Sequence, residues 1–256
     1  MDDPALPETC CPADESRIWI GPGQAAYLGP ALRLGAHSGS VDCFALGMDA
    51  EFTLCAEGIG ERRARSALIP ARQRHLLSAQ GRMLFCYLDP GSAAAARIRE
   101  RMSEHTSAAW FGITGERELI RRVRSTGPRE LCTAPDSARL DERIRVALRI
   151  MRADPANTPS ADRLAGQVSL SRSRFLHLFS AHTGTSFRRY RLWNRMLCAA
   201  AAIEAGHDLT RAGAAAGFAS PGHFSDSFRA MFGLPANTLL AGRVRITVLE
   251  PGEPAP

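Results

Sequence analysis

Between Arg17 and Leu88 apolar and polar residues alternate in short runs: Arg17–Ile20, Gln24–Leu28, Val41–Leu46, Glu51–Cys55, Ser66–Ile69, His75–Ser78 and Arg82–Leu88, divided by Gly, Pro and Asp. A period of two predicts strands, and several short strands at this spacing predict a small β-barrel or sandwich. The period changes after Asp89-Pro90-Gly91, where Ser92–Met102 and Glu116–Arg124 place apolar residues at i, i+3 and i+4. Two helices follow from that spacing, and we read residues 92–125 as a helical dimerisation segment. Residues 126–137 hold Gly and Pro and read as a linker. From residue 138 to about 240 the pattern is helical, so the predicted class is α+β, with an all-α C-terminal domain.

Within that domain Leu164-Ala165-Gly166-Gln167-Val168 has the apolar spacing of a short helix. Ser169-Leu170-Ser171 supplies a tight turn whose last serine can cap the next helix, predicted over about residues 171–182. There Phe175, Leu178 and Phe179 share a buried face, which makes the pair a helix-turn-helix. The pattern recurs. Phe175, Phe179 and Gly184 match Phe224, Phe228 and Gly233 at an offset of 49, whereas Val168-Ser169-Leu170 matches Ala216-Gly217-Phe218 at 48, so the second turn is one residue longer. Phe187–Ala205, free of Gly and Pro, predicts one long helix joining the two units. Two linked reading helices suit successive major grooves, about 34 Å apart on one face of a duplex.

Charge strengthens that reading. All 32 basic residues are arginine; residues 1–137 carry a net charge of −1, residues 138–245 carry +9 and residues 246–256 carry −2. Such a concentration is the footprint of a polyanion-binding surface, and the arginine fork suits phosphate. The apolar run Leu197–Ile203 is far shorter than the roughly twenty residues of a membrane helix, and Met1-Asp2-Asp3-Pro4 leads into no apolar segment. A cytoplasmic location without membrane attachment is therefore expected. The seven cysteines are odd in number and lack a C-x-x-C pair, which predicts free thiols, with Cys10-Cys11 in an N-terminal tail over residues 1–16.

The stretch LAGQVSLSRSRFLHLFSAHTGTSFRRYRLWNRMLCAAAAIEAG, followed by AGAAAGFASPGHFSDSFRAMFG, resembles the DNA-binding domain of AraC/XylS-type transcriptional regulators over residues 138–240. The positions that carry it include Leu164-Ala165, Leu178-Phe179, Gly184, Tyr190, Arg195, Ala199, Gly217-Phe218, Phe224, Phe228 and Phe232-Gly233. After Gly233 the usual Ser-Pro and aromatic-Arg ending is replaced by Leu234-Pro235-Ala236-Asn237-Thr238-Leu239-Leu240. The resemblance implies a sequence-specific, double-stranded DNA-binding transcription regulator, an activator working with RNA polymerase, dimeric and not an enzyme. It places Arg172, Ser173, Arg174, Leu176 and His177 of the first reading helix at base edges, with Pro221, Gly222, His223, Ser225 and Asp226 in the second. The second set is poorer in donors, so the first unit is expected to dominate specificity. Arg188, Arg189, Arg191 and Arg229 are assigned to phosphates, which position the protein without specifying sequence.

The same family commonly carries a cupin-like barrel in front, expected here over residues 17–91 as the sensing domain for a small effector. Trp19, Tyr27, His37, Cys43, Cys55, His75 and Tyr87 are the candidate lining. A cupin metal set is incomplete, since His37-Ser38-Gly39 lacks a second His and Pro70–His75 has Arg72 in place of Gly. Two ligands fall short of a stable first shell, so neither metal nor other cofactor is expected. Arg62-Arg63-x-Arg65 suits either an anionic effector or a solvated strand edge, and residues 241–256 read as a tail. Two rival functions are a cupin-like enzyme fused to a DNA-binding domain and an architectural regulator without effector.

Overall fold

The computed structural model describes residues 15–128, 131 and 140–249. Cys10, Cys11 and Cys132 lie outside the described residues, and so does most of the expected linker.

The front unit opens with eight strands: β1 Ser16–Gly21, β2 Gln24–Pro30, β3 Asp42–Gly47, β4 Phe52–Ala56, β5 Gly60–Ala64, β6 Ser66–Ile69, β7 His75–Ala79 and β8 Arg82–Leu88. Helix α1 (Ala93–Glu100), strands β9 (Met102–His105) and β10 (Trp110–Ile113) and helix α2 (Glu116–Thr126) follow. The helical unit comprises α3 Glu142–Ala153, α4 Ala161–Gln167, α5 Arg172–Thr183, α6 Phe187–Glu204, α7 Leu209–Ala215, α8 Pro221–Phe232 and α9 Ala236–Leu240. The chain then returns to the front unit as β11, Val244–Val248.

The strands form an eight-stranded sheet in the order β11-β1-β2-β8-β3-β6-β10-β9 and a three-stranded sheet β5-β4-β7. Period-two alternation decides which side each residue faces. In β8, Leu84, Cys86 and Leu88 join Phe44 and Leu46 against Ala94, Ala95 and Ile98 of α1 and Leu119, Ile120 and Val123 of α2. Met83 and Phe85 point the other way, toward Phe52, Leu54 and Leu77 of the small sheet. The large sheet is thus covered on both faces, by helices on one and by the second sheet on the other.

Two expectations need correction. The segment 92–125 is not wholly helical, because the β9–β10 hairpin lies between its helices and pairs with β6. Residues 244–248 are not a free tail, since β11 pairs in parallel with β1, Ser16 opposite Val244 and Ile20 opposite Val248. β11 is a sheet edge recruited from more than two hundred residues away, which local periodicity does not report.

The helical unit is built as its caps dictate. Asp141, Ser160, Ser171, Ser186, Asp208 and Ser220 each accept a backbone N–H in the first turn of the following helix. Gly184 and Gly233 end the two reading helices in the left-handed conformation, at the same offset of 49. Its core is aromatic: Phe175, Phe179, Phe187 and Tyr190 meet with ring centroids 5.8–5.9 Å apart. No helix among the described residues is long and apolar enough to cross a membrane.

Candidate nucleic-acid interface

In the first unit α4 and α5 are joined through Ser169, whose φ is +55°, and Leu170 donates its N–H to the Ala165 carbonyl. The second unit makes the same turn with Gly217 at φ +78° and Phe218 bonded to the Gly213 carbonyl. The inserted residue, Ala219, lies after this turn and shifts only the start of α8. Both units are therefore built alike around α6, which carries Trp193, Met196 and Leu197 into the core.

Each reading helix buries one face and leaves its first turn in solvent. Phe175, Leu178 and Phe179 are buried in α5, while Arg172, Ser173, Arg174 and His177 are exposed and Leu176 is half-buried. In α8 Phe224 and Met231 are buried, and Pro221, Gly222, His223, Ser225 and Asp226 are exposed. The His223 ring leans on Phe218 at 5.4 Å, and Arg172 meets Asp162 at 3.4 Å, both partners exposed. The first head presents two arginine forks, which can take guanine bidentately; the second presents one imidazole and a carboxylate that can accept from cytosine.

The arginines assigned to phosphate separate. Arg188 and Arg229 are exposed and Arg191 is half-buried. Arg189 is instead committed to the front unit: its Nη2 donates to the Ser38 carbonyl at 3.1 Å and to Ser38 Oγ at 2.7 Å. That contact, between residues 151 apart in sequence, turns Arg189 toward the front unit.

Behind the reading heads the front unit grips the helical one. Asp89 accepts from Arg152 Nη2 at 2.5 Å and Nε at 3.1 Å, from Tyr190 Oη at 2.5 Å and from the Gly91 N–H at 2.7 Å. Burial pushes the Asp89 carboxyl up, opposed by the Arg152 charge and these donors. A Cβ on Gly23 would sit 1.9 Å from Asp89 Oδ2, so glycine there makes room for the ion pair. Trp193 Nε1 donates to the Gly23 carbonyl at 2.6 Å, Gly35 N to Gly233 O at 2.7 Å and Ser38 N to Ala230 O at 3.3 Å. Tyr190 and Gly233 carried a family signal in the sequence and Asp89 and Gly91 marked a break in periodicity, but none of these signals pointed to the seam.

A cavity of about 100 Å³ lies in the seam, lined by Ile18, Tyr27, Leu34, Tyr87, Trp193, Phe228 and Phe232 among others, with no charged side chain among the described residues. Of the sequence-nominated pocket residues, Tyr27 and Tyr87 line it. The others do not. Trp19 faces the opposite side of the sheet with α1 and α2, and Cys43 is packed between the sheets, where burial drives its thiol upward. Cys55 is half-buried in β4 of the small sheet. His37 and His75 pack against each other with their rings tilted by 55° and centroids 4.4 Å apart, each with Nδ1 2.9 Å from a backbone oxygen, of Gly35 and Gln73 respectively. Among the described residues no group of three or more His, Cys, Asp or Glu gathers to hold a metal ion. Arg62, Arg63 and Arg65 are also spoken for, by Glu104, by Glu51 and by the Gly47 and Met48 carbonyls, so the strand-edge reading describes them.

Residues 164–241 match the family model described as a helix-turn-helix domain, which spans both units. The C-terminal unit is a helix-turn-helix domain. No curated protein matches the chain. Among solved structures, ToxT of Vibrio cholerae bound to (E)-4-(8-methylnaphthalen-1-yl)but-3-enoic acid is 12% identical with a TM-score of 0.56, over 85% of this chain and 97% of that one. ToxT of Vibrio cholerae bound to an unsaturated fatty acid is 12% identical with a TM-score of 0.54, over 85% and 94%. An AraC-type regulator of Chromobacterium violaceum is 28% identical over 39% of this chain and 90% of that one, with a TM-score of 0.37. The likeness to ToxT is one of fold: a sheet-rich N-terminal unit followed by a helical one carrying the helix-turn-helix pair.

Proposed function

We infer that this chain is an AraC-type DNA-binding transcription regulator that reads two adjacent major-groove segments with α5 and α8. The observation that carries the reading is the repeat itself: two helix-turn-helix units whose turns share one hydrogen bond and a positive φ, each leaving the first turn of its second helix in solvent. Arg172 and Arg174 head the first reader and give it the larger share of base recognition; His223, Ser225 and Asp226 supply the second. Arg188 and Arg229 meet phosphates, with Arg191 beside them. We assign no reaction to the chain.

Control falls to the seam. A small apolar effector fits the uncharged lining of the cavity between Tyr87 and Phe232, and the ToxT structures bound to acids with large apolar bodies support a ligand of that kind. The present cavity is smaller than the about 300 Å³ at which ligand pockets usually start, so a larger effector has to part the loop bearing Leu34 from α8. Selection of duplexes from a random-sequence library at about 0.15 M salt tests the DNA-binding reading, because non-specific binding is weak there. A recovered motif with two parts one helical turn apart agrees with it; retention of sequences indistinguishable from the input library counts against it.

A further inference from the structure

We propose that Arg163 and Arg211, neither of which belongs to a reading helix, form a matched pair of phosphate anchors, one for each helix-turn-helix unit. The proposal rests on the DNA-binding reading and deepens it.

At the repeat offset of 48, residues 161–170 align with 209–218, and in these ten positions the single identical residue is the arginine, Arg163 opposite Arg211. The apolar positions have drifted in size, Leu164 to Ala212 and Val168 to Ala216, as a repacked core allows. An exposed position has no such packing demand, so fold alone does not call for the same long cation twice. The local frame is also the same: Ser160 Oγ caps the Arg163 N–H at 3.2 Å and Asp208 Oδ1 caps the Arg211 N–H at 2.8 Å, so both arginines leave the first turn of their helix from one backbone geometry. Both are exposed and neither forms an ion pair among the described residues. Helix electrostatics argues against a structural purpose, since a cation in the first turn opposes the helix dipole.

Their placement points to the duplex backbone. In a helix-turn-helix the first helix crosses the backbone while the second enters the groove. Here Asp162, the neighbour of Arg163, reaches Arg172 at the start of the reading helix, which sets this end of α4 beside the groove-entering turn. The extra residue of the second unit, Ala219, lies after α7 and its turn, so Arg211 keeps the same relation to its own helix and turn. Two arginines in repeat register on flanking helices would pin the backbone on either side of α6 and fix the orientation of both readers.

The test is the salt dependence of binding by the whole chain to a random-sequence duplex of about 40 base pairs between about 50 and 200 mM NaCl. Each phosphate contact contributes about 0.9 to the slope of log K against log salt. Arg163→Gln and Arg211→Gln should each flatten the slope by about 0.9 and the double variant by about 1.8. Arg163→Lys should keep it, and Arg97→Gln on α1 of the front unit should leave it unchanged. Melting temperature checks that the variants are folded. A double variant that is folded and has the parent slope overturns the anchor assignment, while a parent chain that shows no salt-dependent retention overturns the DNA-binding reading beneath it.

Discussion

Asp89 closes the last long strand of the front unit, and its carboxylate receives two bonds from Arg152 of α3, with Asp89 1% and the Arg152 side chain 13% exposed. The pair joins the two units by a charge taken out of water, and Tyr190 from α6 completes it. A buried ion pair is weak as a net source of stability but severe to break, because the survivor is stranded without solvent.

Asp89→Asn is therefore expected to cost about 3–5 kcal/mol, since it removes the negative charge from the buried Asp89–Arg152 pair. Tyr190→Phe removes one hydroxyl and should cost about 1–2 kcal/mol. Chemical denaturation of both variants checks the ranking; equal effects would show that the carboxylate charge is not what holds the seam.

The paired imidazoles of His37 and His75 set a pH limit. Burial, together with the neighbouring His37, pushes His75 down to about 4, and His37 is lowered as well, by burial first and with Arg74 adding to it. Both rings stay neutral in the fold while the unfolded chain takes up protons near pH 6.5, so stability is full above that value and falls as pH drops toward 4. Melting temperatures across this window should fall for the parent chain and fall less for His75→Asn. Parallel curves would place the acid sensitivity elsewhere.

The two turns should respond differently to one methyl group. At Gly217, with φ +78°, a Cβ would lie 2.8 Å from the Ala156 carbonyl oxygen, so Gly217→Ala should lose at least about 1–2 kcal/mol. At Ser169, where φ is +55°, Ser169→Gly relieves backbone strain but adds unfolded-chain entropy, and the two should cancel to within about 0.5 kcal/mol. Urea unfolding midpoints measure both, and a neutral Gly217→Ala contradicts the close approach.

Arg188 and Arg189 are neighbours with opposite employment. Arg188→Ala should flatten the salt slope of DNA binding by about 0.9, whereas Arg189→Ala should leave the slope and lower the melting temperature, since it releases Ser38. The reverse pattern would mean that the Ser38 contact opens when DNA binds.

Much of this was legible in the chain. Strand alternation located Arg82–Leu88 because both of its faces pack, and the Ser171 cap marked the start of α5 to within about a residue. The exposed head of α5 followed from the spacing of Phe175, Leu178 and Phe179, and that of α8 from the family resemblance. The β9–β10 hairpin did not, because β9 is only four residues long and its last three, Ser103, Glu104 and His105, are polar and exposed. The seam was invisible for a different reason. Gly23 and Trp193 lie 170 residues apart and Asp89 and Arg152 lie 63 apart, and no local pattern encodes such pairs. The Arg189–Ser38 contact was invisible for the same cause, since an arginine among arginines gives no sign that its partner sits in another unit.

The most direct test of the account compares affinity for a duplex recovered by selection with affinity for its scrambled counterpart, for the parent chain and for Arg172→Ala and Arg174→Ala. If these side chains read bases, each substitution should cost about 1–3 kcal/mol on the selected duplex, little on the scrambled one, and relax preference at one base pair. Equal losses on both duplexes, or no loss on either, would contradict sequence reading by the first helix-turn-helix.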